Sequence, residues 1–242
     1  MKKITLLIPC YNEAKSIGKV IDGIPKEKLK QQGFSIEVLV IDNNCTDNTA
    51  KIAKSKHAKV ICEMKQGKGN AIRTGFQSIS KDTDYIVMLD GDDTYKSSEI
   101  LRLIEPLESN FCDVVVGSRL EGKMIAYSMS ASHRLANWFF TFITRHFYGA
   151  NVTDTCTGYF AWTKKAIDVL NGHIESKGFA IESEMISKMA KLKLKIYSVP
   201  ITYAPRPGTH SKLKPFTDGL KITWMLIRNK WWKPNKEKRL KR

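Results

Sequence analysis

The sequence predicts an α/β fold: a mostly parallel central sheet with helices on both faces, closed by a C-terminal amphipathic helix. Three observations carry this reading. Short apolar runs rich in β-branched residues alternate with helix-patterned stretches through the first half of the chain. The connections between them are short. Apolar residues make up 42% of the 242, ample for a sizeable core.

In order, residues 4–8 (ITLLI), 36–41, 59–62, 85–89 and 114–116 read as strands. Between them, residues 16–24, 47–55, 69–79 and 97–107 read as helices. In the second half, residues 131–148 read as an aromatic helix, with further helices at 164–170 and 182–192. Residues 196–203 read as a strand that ends in Pro205-Arg206-Pro207-Gly208. The last helix, 216–232, carries Phe216, Leu220, Thr223, Trp224 and Ile227 at helical spacing. No repeat, low-complexity tract or clear linker interrupts the chain.

Polar clusters fall at the ends of three strands: Pro9-Cys10-Tyr11-Asn12-Glu13, Asp42-Asn43-Asn44 and Asp90-Gly91-Asp92. Ligands of open α/β sheets bind beyond the carboxyl ends of the strands, so one crevice would collect all three. Asp90, Asp92 and Asp93 within four residues repel one another unless a cation sits between them. This is notable in a chain of net charge +16. From Arg228 onward there are eight basic residues against Glu237 alone, +7 of that total. Such a tail suits a solvated end, nucleic acid or an anionic membrane. No nucleic-acid motif accompanies it, so no nucleic acid is expected as partner. Met1-Lys2-Lys3 leads straight into the first strand, so no signal peptide is expected, and no stretch approaches the roughly 18 apolar residues of a membrane span. The five cysteines are scattered without a C-x-x-C pair, as expected of reduced cytosolic thiols.

Eight motifs in order resemble the family 2 glycosyltransferases of the GT-A fold, and among them the polyprenyl-phosphate (dolichyl-phosphate) sugar synthases. They are IPCYNE (8–13), VIDNNCTDNT (40–49), QGKGNAIRTG (66–75), LDGDDTY (89–95), VVVGSR (114–119), DTCTGYFAW (154–162), GFAIESEM (178–185) and VPITYAPRPGTHSKL (199–213). The resemblance spans about residues 3–215 and implies a GT-A catalytic domain over 1–215. Residues 216–242 then form an aromatic helix and basic tail at a membrane surface. By resemblance, Pro9, Tyr11, Glu13, Asp42 and Lys68 bind the nucleotide diphosphosugar donor. Asp90 and Asp92 hold Mg²⁺ or Mn²⁺, with Asp92 the direct ligand and Asp90 shared with the nucleotide. Asp93 is expected to face solvent or cap a helix. Arg206 and Lys212 lie in a loop that closes over the diphosphate, and Arg119 and Arg134 match acceptor-phosphate positions. Glu182 and Glu184 either orient these arginines, the favoured reading, or act as base toward a hydroxyl acceptor.

The mannose-transferring members read D-D after the second strand and D-A-D-L-Q at the metal. Here Asp42-Asn43 and Asp90-Gly91-Asp92-Asp93-Thr94 stand in those places, with Thr94 where a further metal ligand is expected. This favours UDP-glucose or UDP-N-acetylglucosamine over GDP-mannose, as in microbial and particularly archaeal relatives. The expected reaction is inverting transfer of a hexose to a polyprenyl phosphate, peripherally at the cytoplasmic face of a membrane. The aromatic helices or a separate membrane subunit would bring the enzyme to its lipid. The alternative is a family 2 enzyme acting on a sugar hydroxyl or small soluble acceptor with a glutamate base.

Overall fold

The computed structural model describes residues 1–207 and 215–234. Lys212 and the basic residues from Lys236 onward lie outside them. Seven strands form one sheet: β1 (Lys2–Cys10), β2 (Phe34–Asp42), β3 (Lys59–Cys62), β4 (Tyr85–Met88), β5 (Val114–Met124), β6 (Phe160–Thr163) and β7 (Ile196–Tyr203). Their order is β3-β2-β1-β4-β6-β5-β7, and every pairing is parallel except those of β6.

The strands form because their side chains are buried on both sheet faces. Ile4, Leu6 and Ile8 of β1 pack with Ile17, Val20 and Ile21 of α1 (Ile17–Asp22), and with Ile100, Leu103 and Leu107 of α5 (Ile100–Glu108). On the other face Leu7 packs with Ile72 and Phe76 of α4 (Lys68–Gln77), and with residues of α7 (Lys164–Leu170) and α8 (Ile181–Lys191). Each fully buried Leu or Ile contributes about 1.5–3 kcal/mol. Two further helices, α2 (Lys26–Gln31) and α3 (Thr49–Ser55), complete the first half.

A small third cluster joins α6 (Ala131–Tyr148) to α9 (Pro215–Trp231). Phe140 packs on Ile222, Met225 and Leu226, and the Asn229 amide donates to Ser187 Oγ of α8 at 3.0 Å. Outward, these two helices leave Leu135, Trp138, Phe139, Phe142 and Phe147, with Phe216, Leu220, Trp224, Ile227 and Trp231, exposed. No described helix is long and apolar enough to cross a membrane.

The expected parallel sheet with flanking helices is present. Two elements were not anticipated. α2 has a single buried residue, Leu29, so it offers no apolar period to read. β6 is four residues that overlap the end of the 154–162 motif, too short to stand out, yet it alone reverses direction. That reversal matters, because it brings the residues preceding β6 to the same sheet edge as the carboxyl ends of the other strands.

Candidate active site

At that edge β1 runs into Pro9, Tyr11 and Glu13, β2 ends at Asp42, and β4 is followed by Asp90 and Asp92. The Asp42 Oδ1 accepts the Cys45 N–H at 2.8 Å, so it shapes the β2 turn. Asn43 beside it accepts from Gly67 N–H (2.7 Å) and donates to the Glu63 and Lys65 carbonyls. This fastens the Gly67-Lys68-Gly69 turn over the crevice. A Cβ on Gly67, whose φ is +134°, would meet the Lys177 carbonyl, so this turn requires glycine.

Lys68 opens α4 and places its ammonium between two acids, 2.7 Å from Asp90 Oδ1 and 2.6 Å from Glu182 Oε1. Burial opposes the ammonium charge, but Asp90 and Glu182 outweigh it and raise the Lys68 pKa. Burial raises both carboxyls, with Lys68 pulling each the other way. Arg206 mirrors this on the other side, pairing with Asp92 Oδ2 and lying 3.3 Å from Glu13 Oε1. Asp92 is only 3% exposed, and its Oδ1 accepts both the Thr94 N–H (3.0 Å) and hydroxyl (2.6 Å). Thr94 therefore fixes the Asp92 rotamer.

Gly158, just before β6, comes so close to Asp90 that a Cβ there would sit 2.5 Å from Asp90 Oδ2. Gly158→Ala is expected to push Asp90 off Lys68 and lower kcat about a hundredfold, the scale of a misplaced catalytic group. Steady-state kinetics beside a melting curve would check this, and kcat within threefold of wild type would refute it.

These residues stand where two cavities meet. One, about 340 Å³, is lined by Pro9, Tyr11, Glu13 and Asn43. The other, about 260 Å³, is lined by Arg119, His133, Asn137 and Tyr203. Lys68, Asp90, Asp92, Phe179 and Arg206 border both. The second cavity is strongly prearranged. The Arg119 Nε and Nη2 donate to Asp154 at 2.7 and 2.9 Å, the guanidinium lies over the Tyr203 ring, and Asn137 also donates to Asp154. Cys156 lines this cavity too, but burial pushes its thiol up to about 12, so it stays neutral.

Several expected residues lie elsewhere. Arg134 does not line the Arg119 cavity. One position along α6 turns the helix by about 100°, so His133 and Asn137 face the Arg119 cavity while Arg134 lines a separate groove. Glu184 is fully buried, 2.7 Å from Lys188 Nζ, and accepts the Glu175 and Ser176 N–H groups. It holds the backbone at residues 175–176 and, among the described residues, pairs with no arginine. Glu182 is at the site but meets Lys68, not an arginine. Asp93 caps no described helix and only partly faces solvent. It is half-buried at φ +61° and pairs with Lys96 at 3.0 Å. Of the residues that the sequence reading passed over, Asp154 had a signal, as the lone acid opening the 154–162 motif. His133 and Asn137 had none beyond an i, i+4 spacing.

Among the described residues no three acidic, His or Cys side chains gather to form a metal cage. Asp90 and Asp92 offer two carboxylates at the cavity junction. That donor set fits a hard divalent ion which takes one or two carboxylates and completes its shell with phosphate oxygens.

The glycosyl transferase family 2 model matches residues 5–170, more than half of the chain. The chain is a family 2 glycosyltransferase. The glycosyltransferase AglJ of Haloferax volcanii is 34% identical over 217 residues, covering 89% of this chain and 68% of the relative. The UDP-N-acetylglucosamine–dolichyl-phosphate N-acetylglucosaminyltransferase of Methanococcus voltae is 28% identical, covering 93% and 95%. Glucosyl-3-phosphoglycerate synthase of Mycobacterium tuberculosis, solved with Mn²⁺, UDP-glucose and phosphoglyceric acid, superposes with a TM-score of 0.70 over 97% of this chain and 82% of that one. At 19% identity this likeness concerns the fold. The family 2 glycosyltransferase reading of the eight motifs and its GT-A fold therefore hold.

Proposed function

We propose that this glycosyltransferase moves a hexose from a nucleotide diphosphosugar to a polyprenyl phosphate, with inversion and with Mg²⁺ or Mn²⁺. One observation carries the acceptor assignment. The acids bordering the Arg119 cavity, Asp90, Asp92 and Glu182, are each engaged by Lys68 or Arg206, while Arg119 stands fixed on Asp154 with further N–H groups to offer. Such a cavity suits an acceptor that is already an anion and needs no base.

In this reading Pro9, Tyr11 and Glu13 hold the nucleotide and Asp42 shapes the turn behind it. Asp90 and Asp92 hold the metal, which supplies charge neutralisation to the diphosphate when bound. Arg119 orients the acceptor phosphate so that one oxygen attacks the anomeric carbon. The bond to the diphosphate oxygen breaks as that attack proceeds, and Lys68 and Arg206 offset the charge that develops on the leaving group. The name of the Methanococcus voltae relative supports UDP-N-acetylglucosamine as donor, ahead of UDP-glucose and GDP-mannose.

The exposed aromatics of α6 and α9, with Lys230 over the Phe147 ring (4.6 Å) and Arg228 over Trp224 (5.1 Å), support peripheral binding at the cytoplasmic face of a bilayer. A separate membrane subunit is the competing occupant of that platform.

The test pairs each of the three labelled donors with a short polyprenyl phosphate and scores label that partitions into organic solvent. Lipid product from one donor that disappears with chelator supports the reading. Nucleotide release in water without lipid product moves the acceptor to a hydroxyl, with Glu182 as base. Its raised pKa would suit that role.

A further inference from the structure

The groove that holds Arg134 belongs to neither catalytic cavity, and we propose that it binds the phosphate of an anionic bilayer phospholipid, as a second headgroup site separate from the acceptor. It encloses about 680 Å³ between α6 and the outer part of β5. Arg134, Thr141 and Arg145 lie along one stripe of α6, with His146 beside them. Opposite are Glu121 and Thr153. Neither arginine has an ion pair among the described residues, so Glu121 leaves the groove with a surplus of positive charge. Thr153 lines the wall facing α6, and its buried Oγ has no hydrogen-bond partner among the described residues.

The aromatic rim selects a lipid over free phosphate. Trp138 stacks on Phe142 (6.0 Å, 16° between planes) and Phe142 on His146 (6.0 Å, 6°), so apolar rings and basic groups share one wall. Trp138 and Phe142 are exposed and belong to the α6–α9 platform. A phospholipid would seat its headgroup among the cations and its chains along the rings. None of the groove's residues lines either catalytic cavity, so the phosphate held here is not the reacting one. The inference rests on the membrane reading above.

The experiment compares the wild-type chain with Arg145→Glu, an exposed position. Vesicles of phosphatidylcholine alone, or of phosphatidylcholine with phosphatidylglycerol, are sedimented at constant ionic strength, with and without inorganic phosphate. Transfer to a short, water-soluble polyprenyl phosphate is measured alongside. The expected result is at least about fivefold weaker binding to phosphatidylglycerol vesicles, the worth of one basic residue at an anionic surface. Binding to neutral vesicles and the KM for the soluble acceptor stay unchanged. Unchanged binding to anionic vesicles overturns the groove while leaving the membrane reading intact. A raised KM overturns it by making the groove the acceptor site. Inorganic phosphate abolishing the difference between the two proteins overturns the lipid source. Failure of the wild type to bind either vesicle overturns the membrane reading itself.

Discussion

Asp92→Asn is expected to lower glycosyl transfer by about three orders of magnitude while the protein stays folded. The size follows from removing charge where the leaving diphosphate must be neutralised, a kind of loss that typically costs 10²–10³-fold per group before any metal is considered. Asn is nearly isosteric and its amide oxygen can still accept the Thr94 N–H and hydroxyl, so the turn after β4 survives. What it loses is the carboxylate that pairs with Arg206 and, in the proposed reaction, with the divalent ion. Arg206 keeps Glu13 as its partner, so the arginine is not stranded. Calorimetric titration of nucleoside diphosphate with and without Mn²⁺ should show the metal-dependent part of binding gone. A kcat within tenfold of wild type, or wild-type turnover that ignores chelator, would end the metal assignment.

Asp92 and Arg206 also show what the sequence could and could not convey. The carboxyl-end clusters at 9–13, 42–44 and 90–92 were legible because strands of β-branched residues ending in polar groups leave little choice of fold. Their convergence follows from parallel topology. The pairing partners were not legible. Arg206 lies more than a hundred residues from Asp92, and Lys68 reaches both Asp90 and Glu182, which no local pattern encodes. Helix phase was the weakest link. Arg134 and His133 differ by one position, and long-range contacts of α6, Phe140 against α9 and Asn137 with Asp154, decide which of them faces the Arg119 cavity. The Glu182/Glu184 pair failed in a similar way. Two positions along α8 separate a residue lining the crevice from one buried behind it with Lys188. The reversed strand β6 was hidden by its length, and with it the closeness of Gly158 to Asp90 and of Asp154 to Arg119.

Asp154→Asn is expected to have the largest effect on stability. Asp154 is fully buried, and Arg119 is only 7% exposed. Burial alone would raise the Asp154 carboxyl. The Arg119 charge, its hydrogen bonds and the Asn137 amide outweigh burial and hold the carboxyl below its usual range. The substitution removes the counter-charge and leaves a buried guanidinium uncompensated, at a cost of about 3–5 kcal/mol. For a chain of this size that is a fall in Tm on the order of 10 °C. The sign of the pH dependence follows from the depressed folded-state value. The pair's contribution is fully present above the unfolded-state carboxyl, near pH 4, and is lost as pH falls through the folded value. Wild type should therefore lose stability below about pH 4 more steeply than Asp154→Asn, and the two melting curves should converge there. Arg119→Met combined with Asp154→Leu separates packing from chemistry. Replacing both partners by apolar groups removes the desolvation cost as well as the attraction, so most of the lost Tm should return. Transfer to a polyprenyl phosphate should not return, because the positive charge that faces the acceptor in the proposed reaction is gone. A single variant that melts within about 2 °C of wild type would show that the pair holds nothing together. A double variant that regains transfer would remove Arg119 from the acceptor site.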